Sequence, residues 1–288
     1  MTKKSSINRQ SLKIPRSILL ASKFISLISS RLTILFAAKL FTTPIKHTIP
    51  KRELVMEQIS TQKKLHIPTI NKTVVVYQYG QSDKKVLLVH GWSGRGTQLV
   101  KIADALLKSG CSTISFDAPA HGKSPGNQTI MTDFIATILE IEKQYGPFES
   151  AVGHSLGGMS ILNAIKKGLK LNTAIIIGSG DIVQDIIEDF IAKLQLKPSL
   201  AADLRLHFEK KYGEKMNDYS AYKAAKQITI PILVIHDKDD LEVPVKAAQH
   251  IYDHLKNGKL LLTEGLGHRK ILGDSEVIQR TIQFVSAN

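Results

Sequence analysis

Residues 150–160 read SAVGHSLGGMS, and Gly153-His154-Ser155-Leu156-Gly157 sets a serine between two glycines in the pattern G-x-S-x-G. The run follows a short apolar stretch with strand character and precedes one with helical spacing, the context in which such a serine serves as a nucleophile. A strand-to-helix turn this tight needs flanking positions almost free of side chain, hence Gly153 and Gly157. The free N–H groups that open the helix favour negative charge beside the hydroxyl. The plainer reading is a glycine-rich turn that only packs a helix on a sheet.

Acyl transfer also needs N–H donors aimed at the developing oxyanion, one of them worth about 3 to 4 kcal/mol. The expected donors are the backbone amides of Leu156, next after the serine, and of Trp92, just past His90-Gly91. Gly91 allows close backbone approach, and the Trp92 ring either walls the acyl pocket or plugs a loop. The general base expected is His268, in the loop Gly265-Leu266-Gly267-His268-Arg269. The acid comes from His236-Asp237-Lys238-Asp239-Asp240-Leu241-Glu242. Asp240, three residues before Val243-Pro244, is the expected partner. Asp237 and Asp239 remain alternatives whose ordinary roles are turn residues and helix caps, and Asp181 is a more distant one. A histidine that follows the serine and the aspartate in chain order fits the general base.

The other histidines read differently. His90 is expected as a hydrogen-bonded structural residue, and His121 as a turn organiser in Asp117-Ala118-Pro119-Ala120-His121-Gly122. His154 sits beside the nucleophile with its side chain expected to point away. His207, His250 and His254 fall on helical stretches. No set with the spacing of a metal site emerges, so neither metal nor cofactor is expected.

These residues must be positioned by alternating strands and helices. Strands are expected at 72–79, 85–89, 112–116, 150–153, 173–177, 230–235 and 259–262, with helices at 99–108, 129–145, 156–167, 245–256 and 275–285. Strands so apolar are buried on both faces, the signature of a parallel sheet covered by helices. Between 180 and 229 no strand is read. Helices at 182–194, 201–212 and 219–226 form an insertion of the kind that commonly caps the strand ends.

The chain has 288 residues, 43% of them hydrophobic, a net charge of +14 and a single cysteine, Cys111. That excludes a fibrous or fully disordered chain and a disulfide framework, and it favours a reducing, cytoplasmic setting. The charge is lopsided: residues 1–64 carry 13 Lys/Arg against Glu53 and Glu57, and residues 1–52 carry no acid. Two domains are therefore expected, a basic amphipathic helical arm at 1–64 and the α/β body at 65–288 with a cap at about 180–229. The longest uncharged runs of the arm, 24–30 and 32–38, are too short to span a bilayer, which takes about 20 apolar residues. Ser22, Ser26, Ser29, Ser30 and Thr33 fall on one side of a helix, Ile25, Ile28, Leu32 and Leu35 on another. The arm either docks on the body or makes a peripheral membrane contact through residues 1–50. Its aliphatic character argues against nucleic acid.

The motifs LLVHGW, FDAPAHGKS, GHSLGG, HDKDDLEVP and LGH stand together in one order. In these, residues 72–288 resemble the alpha/beta-hydrolase fold superfamily. The resemblance implies an α/β fold with a mostly parallel eight-stranded sheet, helices on both faces and a short helical cap. It implies Ser155, Asp240 and His268 as a triad, with the Trp92 and Leu156 amides as oxyanion hole. Asp237 departs from a position often glycine in relatives. The function expected is a serine hydrolase cleaving an ester or thioester of a small-molecule acyl substrate. Acyltransfer, carbon–carbon bond hydrolysis, or a non-catalytic binding module of the same fold are the alternatives.

Overall fold

The computed structural model describes residues 14–287. Eight strands form one sheet: β1 (Thr61–Ile67), β2 (Lys72–Tyr79), β3 (Lys85–Val89), β4 (Ser112–Asp117), β5 (Ser150–His154), β6 (Thr173–Ile177), β7 (Ile232–Asp237) and β8 (Gly258–Thr263). Their order is β1-β2-β4-β3-β5-β6-β7-β8, with β2 antiparallel to both neighbours and the rest parallel. The fold class expected from the sequence is the one found.

The helices are α1 (Arg16–Ile28), α2 (Ser30–Phe41), α3 (Leu54–Ile59), α4 (Val100–Lys108), α5 (Met131–Tyr145), α6 (Leu156–Lys166), α7 (Val183–Lys193), α8 (Leu200–Tyr212), α9 (Ala221–Ala225), α10 (Lys246–Asp253), α11 (Gly267–Lys270) and α12 (Ser275–Ser286). They cover both sheet faces because the central strands alternate two apolar sets. Leu87, Val89, Ala151, Ala174, Ile176, Ile232 and Val234 share one core with α5 and α6. Val86, Leu88, Val152, Ile175, Ile177, Leu233 and Ile235 share the other with α4 and α12.

Two features differ from the sequence reading. The edge strand β1 (TQKKLHI) was not expected, and the boundary drawn at 64/65 falls inside it. Only its Ile67 is buried, and Lys63 and Lys64 blunt an exposed edge, so the strand carries little hydrophobic signal. The helices of the 180–229 insertion are also built into the core. Ile187, Ile191, Leu204 and Phe208 lie in the same buried cluster as Phe134 and Met159.

The arm is a helical hairpin. Ser29 is extended (φ −161°, ψ 126°) between α1 and α2, and its hydroxyl accepts the Leu32 N–H at 3.4 Å. From α2, Phe41 packs edge-on against Phe190 of α7 (5.1 Å) and against Phe208 of α8 (5.4 Å). The basic residues Lys3, Lys4, Arg9 and Lys13 lie outside the described residues. No helix among the described residues is long and apolar enough to cross a membrane.

Candidate active site

β5 ends at His154 and α6 begins at Leu156, so one residue makes the turn. Ser155 makes it at φ 53°, ψ −119°, a conformation unfavourable for any residue with a Cβ. Its N–H donates to the Ile177 carbonyl at 2.9 Å, tying the turn to the end of β6. The flanking glycines are dictated by backbone approach. A Cβ on Gly157 would lie 2.3 Å from the Val89 carbonyl oxygen, and one on Gly153 would lie 2.7 Å from the Gly157 backbone. Gly157→Ala is therefore expected to cost roughly 3 kcal/mol of stability, since the obstacle is backbone rather than a movable side chain. An unchanged urea midpoint would refute this. Ser155→Gly, in turn, should be about 1 kcal/mol more stable than Ser155→Ala, because glycine relieves the strained φ at some cost in unfolded-state entropy. Equal melting of the two variants would show that the turn is unstrained.

The loop after β3 comes up against the serine: a Cβ on Gly91 would sit 3.0 Å from the Ser155 Cβ. Two buried imidazoles shape it. His90 Nδ1–H donates to the Gly91 carbonyl (2.7 Å), while its Nε2 accepts the Ala118 N–H (3.0 Å). His121 Nε2 accepts the Ser93 N–H (3.0 Å), and its ring meets Trp92 edge-on at 5.3 Å. Burial pushes His90 down to about 4 and His121 to about 2, so both are neutral acceptors at pH 7. Among the described residues, no acceptor meets the N–H of Trp92 or of Leu156. The amide next to the serine and the amide next to Gly91 are thus both left unpaired.

Asp117, at the end of β4, had no role in the sequence reading. Its buried carboxylate accepts the N–H groups of Gly96 and Lys123 (both 2.7 Å) and the Tyr77 hydroxyl (2.8 Å). It therefore joins the loops after β3 and β4. Burial raises its pKa despite these donors.

The carboxylates after β7 separate by what they hold. Asp240 Oδ2 accepts His268 Nδ1–H at 2.7 Å, and its Oδ1 accepts the Glu242 and Val243 amides at 2.8 and 2.9 Å. Burial pushes the Asp240 carboxyl up, but the His268 hydrogen bond and charge, with the two amides, outweigh it and hold it below the ordinary range. Asp237 is occupied by the loop that carries His268: it accepts from the Thr263 hydroxyl and from the Leu266 and Gly267 amides. Among the described residues, Asp239 accepts only the exposed Gly265 N–H (2.9 Å). Asp181 pairs with His250 and accepts the Tyr222 N–H (2.8 Å), which ties the β6 exit to α9 and α10.

His154 does not simply point away. Its ring packs 4.6 Å from the His268 ring, and its Nε2–H donates to the His268 carbonyl at 2.9 Å. Burial brings it to about 3, so it stays neutral. The elbow and the histidine loop are thus in contact through this residue. The Ser155 hydroxyl makes no hydrogen bond among the described residues; in unliganded sites such bonds often close only around substrate. Nor does any group of three or more His, Cys, Asp or Glu among them have the arrangement of a metal site.

The arm reaches this site as well. The Ile45 N–H donates to Ser93 Oγ at 3.0 Å, the Arg95 guanidinium donates to the His47 carbonyl, and Lys46 Nζ donates to the Ser124 carbonyl at 3.1 Å. Residues 45–47 therefore lie along the loop next to Trp92. No motif in the arm signalled this, because two of the three bonds are made by its backbone groups and the third by an ordinary lysine.

A mostly parallel sheet with a serine on a strand-to-helix turn, and an aspartate–histidine pair on the loops after two later strands, is the architecture of the alpha/beta-hydrolase fold. Residues 86–277 match the model of the alpha/beta hydrolase family, and the chain belongs to that family. No curated protein sequence matches it. Among solved structures it is similar to an esterase from Exiguobacterium antarcticum (TM-score 0.62, 19% identity, 78% of this chain and 100% of that one). It is also similar to an esterase from Pyrococcus furiosus (0.63, 18%, 85% and 97%) and to a bromoperoxidase from Bacillus anthracis (0.61, 16%, 79% and 100%).

Proposed function

We propose that the chain is a serine hydrolase that cleaves a carboxylic ester or thioester through an acyl-enzyme, with Ser155 as nucleophile, His268 as general base and Asp240 as its orienting acid. The observation that carries this reading is the 2.7 Å bond from His268 Nδ1–H to Asp240. It leaves Nε2 of the imidazole as the atom free to take a proton. In this reading His268 removes the proton of Ser155 as the oxygen attacks the carbonyl carbon. The Trp92 and Leu156 amides receive the oxyanion, and Asp240 stabilises the imidazolium. The leaving alcohol or thiol takes the proton from His268, and water then enters by the same route to release the acid.

The test is labelling by a fluorophosphonate probe, which is attacked by an activated serine. Wild type should label and Ser155→Ala should not. Well-folded wild type that stays unlabelled would overturn the proposal in favour of a binding module. A series of p-nitrophenyl esters of increasing acyl length then reads the pocket, and acyl transfer to an added alcohol separates a transferase from a hydrolase.

A further inference from the structure

An amphipathic helix on a soluble body turns its large apolar side chains inward. The α1–α2 hairpin does so only in part. Its inner face buries Ile34, Ala37 and Ala38 and seats Phe41 against α7 and α8, while Ser22 and Thr33, fully buried, bond their hydroxyls back to the carbonyls of Ile18 and Ser29 (both 2.8 Å). Its outer face carries Leu20, Phe24, Leu27, Ile28, Leu32 and Leu35, each between 47 and 85% exposed. These positions recur at helical spacing along α1 and continue past Ser29 into α2. Such a patch on a soluble surface marks an interaction site.

The charges on that face select its occupant. Arg16, Lys23, Arg31 and Lys39 are exposed among the apolar residues. None of the four has a carboxylate partner among the described residues. No acid occurs anywhere in residues 1–52. A second copy would bring two acid-free cationic faces together, which repel. A nucleic acid would satisfy the cations but leave five aliphatic side chains in water, with Phe24 the sole aromatic for stacking. An anionic bilayer satisfies both sets. The aliphatic groups enter the acyl boundary, while the Lys and Arg stems extend to the headgroups. Helices of 13 and 12 residues are each about 20 Å long, too short to cross roughly 30 Å of hydrocarbon, so they lie in the interface plane.

We infer that the outer face of the α1–α2 hairpin docks the protein on the surface of an anionic lipid bilayer. The inference rests on exposure and charge, independently of the serine chemistry, and its test reads binding alone. The full chain is sedimented with vesicles of phosphatidylcholine, with or without phosphatidylglycerol. The result expected is pelleting with the mixed vesicles at least about tenfold above the neutral ones, weakening as salt is raised. Phe24→Ser with Leu27→Ser should lower the affinity roughly tenfold or more, and Lys23→Glu with Arg31→Glu should do the same on mixed vesicles only. All four side chains are exposed, so an unchanged circular dichroism spectrum is expected of both variants. The inference is overturned if wild type does not pellet with mixed vesicles, or if both variants pellet as wild type does. It is overturned equally if light scattering shows a dimer that Phe24→Ser with Leu27→Ser splits while vesicles stay unbound, or if the cations bind duplex DNA in place of vesicles.

Discussion

Ser155→Ala is expected to lower kcat/KM for a short-chain p-nitrophenyl ester by roughly 10^4- to 10^6-fold, with the melting temperature within a few degrees of wild type. Alanine keeps the strained backbone and removes only the oxygen, so the two unpaired amides and the Asp240–His268 pair remain with nothing to activate. Asp240→Asn should come close, at about 10^4-fold, because an amide that donates to His268 selects the wrong tautomer. Asp237→Asn is the contrasting control. That carboxylate accepts from Thr263, Leu266 and Gly267 rather than from an imidazole, so its loss should fall on stability more than on kcat. If Asp237→Asn inactivates and Asp240→Asn does not, the acid has been misassigned. If Ser155→Ala retains activity, the nucleophile has been.

Acid should unfold the protein well above the carboxylate range. His90, His121 and His154 are held neutral by burial at about 4, 2 and 3. In the unfolded chain each titrates near 6.5. Below that value the unfolded state takes up protons that the fold refuses, so stability present above pH 6.5 is lost as pH falls toward the folded values. Between pH 7 and pH 5 the loss is about 2 kcal/mol per histidine, on the order of 5 kcal/mol for the three. Asp117 and Glu53, raised by burial, act in the opposite sense and reduce the net loss. Asp240, held low, contributes only below about pH 4. Urea titrations at pH 7.5, 6 and 5 measure the slope, and a midpoint constant across them would show that these imidazoles are protonated in the fold.

What the sequence disclosed follows from where the signal is local. β2, β3 and β6 were legible to the residue because apolar β-branched runs end at glycines or turn residues. The elbow was legible because the G-x-S-x-G pattern is confined to five positions, although the backbone that crowds Gly157 belongs to the distant Val89. Identities fixed by distant partners were not. Asp240 was preferred to Asp237 and Asp239 for its place before Val243-Pro244, but the alternatives stayed open because the histidine it meets lies 28 positions on. His154 looked like a bystander because its partner is the backbone of His268. β1 lacks an apolar face, and the built-in helices α7 and α8 resemble any helical insertion until Phe190 and Phe208 are seen against Phe41.

The bonds from residues 45–47 to Ser93, Arg95 and Ser124 mean that the amino-terminal region is no detachable accessory. Cutting the chain at residue 50 would free the Ser93 hydroxyl beside Trp92, and it would strip Phe41 from the aromatic side chains of α7 and α8 and leave Ile34 and Ala37 missing from the main core. Such a deletion would perturb turnover and solubility whatever its effect at a lipid surface, and only point changes on the outer helix face can tell anchoring apart from catalysis.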